Sequence, residues 1–168
     1  MSDPNDHFVL LQNRVTARLE ATDDSIPAPV PANGNPVPYL SEQKGDIATK
    51  IQAALNGLGI GVIILTPTAL MIDPSAPDLG MYAPVLVQVQ ENVLINQGAN
   101  GTKIPALRLV SFIMKRLQGW SHQLYAGSQN GQRLRLDTKP FVLIKDGSPL
   151  TYNVAAIAMI DLGATLAT

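Results

Sequence analysis

Residues 46–66 read DIATKIQAALNGLGIGVIILT, and the change of period inside this stretch decides the fold class. Ile47, Ile51, Ala54, Leu55 and Leu58 recur at spacings of three and four, which places them on one face of a helix. Asp46 supplies an N-cap oxygen, and Gly57 and Gly59 are placed to end the helix. Ile60 to Thr66 is then a β-branched apolar run stopped by Pro67, the pattern of a buried strand. A core helix feeding straight into a core strand predicts both kinds of layer in one domain.

Working outward, Asp6 to about Ala21 is an amphipathic helix with Phe8, Leu11, Val15 and Leu19 on its apolar face. Gln12, Asn13, Arg14, Arg18 and Glu20 are its polar residues, and Asn5 or Asp6 its cap. It stops near Asp23-Asp24. Pro27, Pro29, Pro31, Pro36 and Pro38, with Asn33-Gly34 among them, then exclude both helix and central strand. Residues 27–45 are therefore expected to be an extended connector, stiffened toward polyproline II, lying along the domain surface or along a neighbour.

Downstream, Thr68 to Tyr82 reads as a loop, and PVLVQVQE (84–91) alternates with Val85, Val87 and Val89 on one side, as a half-buried strand. Asn92 to Gly101 continues that strand before a glycine-rich turn. A third helix follows over about Ile104 to Gln118, with Thr102 as cap and Pro105 in its first turn. Leu107, Val110, Met114 and Leu117 form its face, and Gly119 closes it. Arg133 to Asp137, Phe141 to Lys145 and Leu150 to Ile160 are strands, the last two flanking a hairpin loop at Asp146-Gly147-Ser148-Pro149. The expectation is one α+β domain over residues 1–168: a mixed, mainly antiparallel sheet packed by about three helices.

Composition narrows the function. Charged residues are 15% of the 168 and hydrophobic residues 46%, against roughly a quarter charged in an average soluble domain. A surface so poor in charge points to association with partners, where apolar area is hidden. Net charge is −1 and the basic residues are dispersed. Lys115-Arg116 and Arg133 with Arg135 are the nearest approach to a patch, so tight nucleic-acid binding by one copy is not expected. There is no cysteine, which removes disulfides, thiolate metal sites and a thiol nucleophile. The acidic N-terminus lacks the basic region of a signal peptide. The longest apolar run, Val154 to Ile160, is far short of the roughly 20 residues that span a bilayer. A soluble protein with no membrane partner is expected.

Catalytic patterns are missing. His7 and His122 stand far apart, without a second ligand at helical spacing or a partner for nucleophilic chemistry. His7 is expected near a solvated helix start. No serine sits in a nucleophile elbow. Gly98 to Lys103 precedes a helix but fails the phosphate-loop spacing. Neither enzyme activity nor a cofactor or metal is expected. Pro29, Pro31 and Pro36 of the connector are candidate partner contacts. So are Trp120 and Tyr125, which follow the third helix: either they cover that helix end as a satellite core or they anchor an interface.

Three stretches carry a resemblance: FVLLQNRVTARLE (8–20), EQKGDIATKIQAALNGLGIGVIIL (42–65) and VLVQVQENVLINQGANGTKIPALRLVSFIMKRLQGW (85–120). The chain resembles the tail terminator and tail-completion proteins of long-tailed bacteriophages. The Glu91-Asn92 step, Asn96, the Gly/Thr turn and the helix ending at Gly119-Trp120 bear most of the likeness. It spans roughly residues 6–120, with a C-terminal β region of the right kind. The resemblance implies a ring, usually of six copies, at the head-proximal end of the tail tube. Its partners would be itself, the tail tube protein and a head-completion or connector protein, with DNA only as cargo through the ring. Its place would be the virion neck, assembled in the host cytoplasm. Other neck or minor tail components (a head–tail stopper or adaptor), a cellular binding module and an unrecognised enzyme are the alternatives.

Overall fold

A computed structural model describes residues 4–41, 46–66, 71–72, 80–125, 132–144, 149–161 and 164–166. Its elements in chain order are α1 (Pro4–Glu20), β1 (Tyr39–Ser41), α2 (Ile47–Gly57), β2 (Ile60–Leu65), β3 (Met71–Ile72), β4 (Gly80–Glu91), α3 (Val93–Asn96), α4 (Ala106–Leu117), β5 (Arg135–Ile144) and β6 (Leu150–Asp161). The sheet runs β1-β2-β4-β6-β5, with β3 pairing β4 off that path. Only β1 and β2 are parallel; the other pairings are antiparallel. The fold is the expected α+β arrangement.

β4 and β6 form the spine, in register from Gly80↔Asp161 to Glu91↔Leu150. Val85, Val87 and Val89 of β4 and Val154, Ala156, Ala158 and Ile160 of β6 are all buried on one face. That face meets Leu11, Val15 and Leu19 of α1 and Leu109, Val110, Ile113 and Leu117 of α4 in the main core. Each fully buried Val or Leu contributes about 1.5–3 kcal/mol. A one-residue slip would exchange Val87 for Gln88 in this core, so the register is strongly specified. On the opposite face α2 covers only the β1–β2 side, where Ile51 and Leu55 pack on Ile63 in a second, smaller cluster.

Several boundaries differ from those read in the sequence. The 27–45 connector contains a strand: Tyr39–Ser41 pairs with Val62–Ile64 at the sheet edge. Three residues with one-sided bonding carry too weak a pattern to register beside five prolines. The expected loop 68–82 includes β3 and the start of β4, which runs through Pro84. Among the described residues, pairing with β2 reaches Leu86 and pairing with β3 reaches Tyr82, so on that side Pro84 lies between the two described ladders. Asn92 to Gly101 does not extend the strand: Asn92 caps α3, its side chain accepting from Ile95 N–H at 3.4 Å. The segments expected at 133–137 and 141–145 merge into one edge strand, irregular between Leu136 and Phe141. That stretch contains Pro140, and edge strands and bulges are where proline is found. The hairpin loop expected at 146–149 lies mostly outside the described residues.

Helix faces also shift. In α1 the buried series is His7, Leu11, Val15 and Leu19, joined by Gln12 and Thr16, while Phe8 is only half-buried. Gln12 donates to Thr66 Oγ1 at 2.6 Å, and Thr16 donates to the Gln12 carbonyl at 2.9 Å. These bonds offset the cost of burying polar groups. In α4, Leu107 is 53% exposed and Arg116 is buried in its stead. Pro105 stands at the N-cap position rather than inside the first turn, and Asp46 caps α2 as expected, accepting from Thr49 N–H at 3.2 Å.

Candidate functional site

The proline connector is a strap held to its own domain. At its start, buried Arg116 donates to Asp23 Oδ2 at 2.9 Å and to the Ala21 carbonyl, and lies 5.3 Å from the Phe112 ring centroid. Arg18 reaches the same Asp23 oxygen at 3.2 Å. The Ser25 hydroxyl and backbone N–H, then Arg116, hold the Asp23 carboxyl below the usual carboxylate range. Farther along, Ala32 N–H donates to the Thr102 carbonyl at 2.9 Å, and Asn33 Nδ2 donates to the Asn100 carbonyl at 2.7 Å. Val62 N–H donates to the Pro38 carbonyl at 3.0 Å, which hands the strap over to β1.

This path leaves an open groove of about 680 Å³ between the strap, the end of α1 and α4. Pro29, Pro31 and Pro36, the three prolines singled out above, all line it, with Leu19, Tyr39 and Leu109. Burial raises the Tyr39 hydroxyl well above the ordinary tyrosine pKa, so this phenol stays neutral. The groove is apolar enough to accept a side chain or short segment. Of the basic pairs considered above, Arg116 is removed from the surface by the Asp23 clamp, leaving Lys115 exposed.

Trp120 and Tyr125 fall elsewhere. Both are partly buried and pack against the main core, not a satellite. Residues 119–125 run antiparallel to 132–134, with Gly119 N–H to the Leu134 carbonyl at 2.9 Å and His122 N–H to the Gln132 carbonyl at 2.9 Å. The Gln132 carboxamide completes this ladder, pairing both ways with the Tyr125 backbone at 3.0 Å.

Here the fold brings together two histidines separated by 115 positions of sequence, and both are 0% exposed. His7 therefore does not sit at a solvated helix start. The Tyr125 hydroxyl accepts from Asp161 N–H at 2.8 Å and is hydrogen-bonded to His7 Nδ1 at 3.1 Å. His122 meets the same phenol ring edge-on, with centroids 6.5 Å apart. Its Nδ1 accepts from Leu124 N–H at 3.3 Å, which puts the imidazole proton on Nε2. Burial lowers the His122 pKa to about 4, the Met159 backbone opposing and the Arg14 charge adding to the shift. Tyr125 is pushed up to about 12, chiefly by burial. At neutral pH the His122 imidazole and the Tyr125 phenol are uncharged. With neither imidazole reaching solvent, the cluster ties α1 to the end of β6 and offers no nitrogen to an external substrate. Among the described residues, no group of three or more His, Asp or Glu is placed to hold a metal ion.

A second buried network joins residues that carry the phage resemblance. Glu91 Oε1 accepts from Asn96 Nδ2 at 2.6 Å and Oε2 accepts from Ala106 N–H at 3.1 Å, at the start of α4. Thr102 donates to Asn96 Oδ1 at 2.7 Å and accepts from Ile104 N–H at 3.3 Å. Thr102 thus braces the approach to α4 without capping it. A carboxylate near a helix N-terminus is favoured by the dipole as well as by the hydrogen bond. The glycine-rich turn folds onto itself: Lys103 N–H donates to the Asn96 carbonyl at 3.0 Å, and a side chain at Gly101 would overlap that carbonyl. The turn is a packed corner, not an anion cradle. Glu91→Gln turns an amide donor toward either Ala106 N–H or Asn96 Nδ2, both of which donate to the carboxylate, and should cost about 2 kcal/mol in chemical denaturation. A loss under about 0.5 kcal/mol, the level of an ordinary surface change, would remove the network from the list of what holds α4 to the sheet.

No protein-family model matches the chain, and no curated protein matches it.

Proposed function

We propose that this chain is a ring-forming structural subunit of a tailed-phage neck, a tail terminator that ends tube polymerisation and joins tail to head. The observation that carries the reading is what Glu91, Asn96 and Thr102 do. These residues lie at the centre of the resemblance, and they use their side-chain bonds on one another and on the entry to α4. Their product is the shape of a corner, which suits a protein whose output is geometry. A mixed sheet flanked by helices is the architecture the resemblance implies. The low charge and the apolar groove beside Pro29, Pro31 and Pro36 add surface that identical subunits, the tube protein or a head-completion protein would cover. DNA would pass through the ring as cargo, and no catalytic step is assigned.

Deletion of the gene in its phage is the test. Tails of irregular length that fail to join heads are expected, and antibody label should mark the neck of normal virions. Uniform tails that stay unjoined would shift the role to a head–tail stopper or adaptor. Uniform tails joined to heads would overturn the proposal.

A further inference from the structure

The strap and α4 enclose a second cleft, of about 490 Å³, which shares Ala28, Pro29 and Val30 with the apolar groove. Its volume falls in the roughly 300–1,000 Å³ range of ligand sites. Its charge is of one sign. On the strap side Ser25 to Ser41 include no Asp, Glu, Lys or Arg, while residues 92–136, which contain α4, hold six Lys and Arg and no Asp or Glu. Of those six, Arg108 and Lys115 line the cleft. Both are exposed, and among the described residues neither side chain has a hydrogen-bond or ion-pair partner. Arg116, next to Lys115, is already occupied by Asp23. The two hydroxyls in the cleft are committed as well: Ser25 donates to Asp23 Oδ1, and Ser111 donates to the Leu107 carbonyl at 3.0 Å. Apolar surface completes the walls, with Phe112 buried and Val30 84% exposed. Asp24, exposed at the start of the strap, does not line the cleft, and neither does any residue that flanks an undescribed segment.

We infer that this cleft binds an acidic segment of a partner protein, held in polyproline II form with carboxylates at positions i and i+3, one on Arg108 and one on Lys115. Seven helical positions separate the two cations, about 10.5 Å along α4, so they do not converge on one anion as in a phosphate cradle. A polyproline II chain has three residues per turn and rises about 3.1 Å per residue, which puts side chains i and i+3 on one face about 9.3 Å apart. A β-strand would turn them to opposite faces. The two intervening residues then meet the apolar strap at Pro27 and Val30. Carboxylate is the matching acceptor, because the planar guanidinium of Arg108 can meet it with two parallel N–H donors. Nucleic acid fits less well. Two cations release few counterions, and the cleft's one aromatic ring, Phe112, is only 5% exposed for stacking. Exposed ion pairs are individually weak, so binding should be weak and should fall with added salt. The cleft shares no residue with the Glu91–Asn96–Thr102 corner, so this binding stands or falls independently of the ring reading.

The test is fluorescence anisotropy of a labelled, acetylated and amidated peptide of sequence PELPEP against the full chain. Saturable binding that weakens with salt is expected. PEELPP, of the same composition with adjacent acids, and PQLPQP, without charge, should each bind at least about fivefold more weakly. The same loss is expected for PELPEP on a chain carrying both Arg108→Gln and Lys115→Gln, two exposed positions, with circular dichroism showing the fold unchanged. Val30→Asp, at an exposed strap position, sets a negative charge against the segment and should weaken binding as well. Lys50→Gln, on α2, should bind like the wild type. Absence of PELPEP binding at millimolar peptide overturns the inference. Binding that ignores the spacing of the acids, or that survives the double substitution, overturns it too. A labelled oligothymidylate that binds through Arg108 and Lys115 where PELPEP does not would assign the cleft to nucleic acid and overturn it equally.

Discussion

Gly59→Ala is expected to destabilise the protein by about 3–5 kcal/mol, a large share of the roughly 5–15 kcal/mol a domain has in total. Gly59 stops α2 and starts the sheet in a single step. Its φ of +77° is in the left-handed region, where a side chain is strained. A β-carbon there would also sit 2.1 Å from the Asn96 backbone nitrogen and 2.4 Å from its Cα. Those are backbone atoms held by the Glu91–Asn96–Thr102 network, so they cannot move aside cheaply. The Gly59 carbonyl further accepts from Asn92 N–H at 2.8 Å, so a shift would break the α3 corner as well. Gly34 is the internal control: its φ is +73° but nothing lies within 4 Å of a β-carbon, and Gly34→Ala should cost about 1 kcal/mol. Urea denaturation of the two variants separates strain from collision. Equal losses would mean that the close approach at Gly59 contributes nothing.

Acidification should remove up to about 3 kcal/mol of stability through His122 alone. The folded-state pKa of about 4 lies below the ordinary 6.5, so between those values the unfolded chain binds the proton and the folded chain does not. The contribution is fully present above pH 6.5, declines as pH falls, and levels off below about 4. The charged groups facing the ring do not rescue the protonated form: Arg14 opposes it, and burial excludes water. In His122→Asn a side-chain oxygen can still accept from Leu124 N–H, and no proton is taken up. The variant's denaturation midpoint should therefore be much flatter across this window than the wild type's, while near neutrality the two differ less. Parallel acid slopes would rule out His122 as their source.

Parts of the site were legible in one dimension, given the right phase. Glu91 continues the odd-numbered series Val85, Val87, Val89 of a strand whose odd side is buried. A carboxylate in that phase announces a buried partner. Arg116 follows Leu109, Phe112 and Ile113 at helical spacing on the buried face of α4, and His7 precedes Leu11 by four on that of α1. Reading residue type ahead of phase counted Arg116 among the dispersed basic residues and placed His7 in solvent. No such signal linked His7 to His122, since their meeting depends on residues 119–125 returning along 132–134 against the end of α1.

From its order of residues alone the chain determined its layers: the switch of period at Gly59, the alternation at 84–91 and the Leu150–Ile160 run, because local backbone geometry imposes those repeats on any apolar pattern. Tertiary structure decided what pattern cannot encode. It placed the strap along its own domain, carried β4 through Pro84, turned Asn92 into a cap, and closed the two histidines around one phenol. Each of these is a contact between segments distant in sequence, where the partner's position, and not the residue's own preference, sets the free energy.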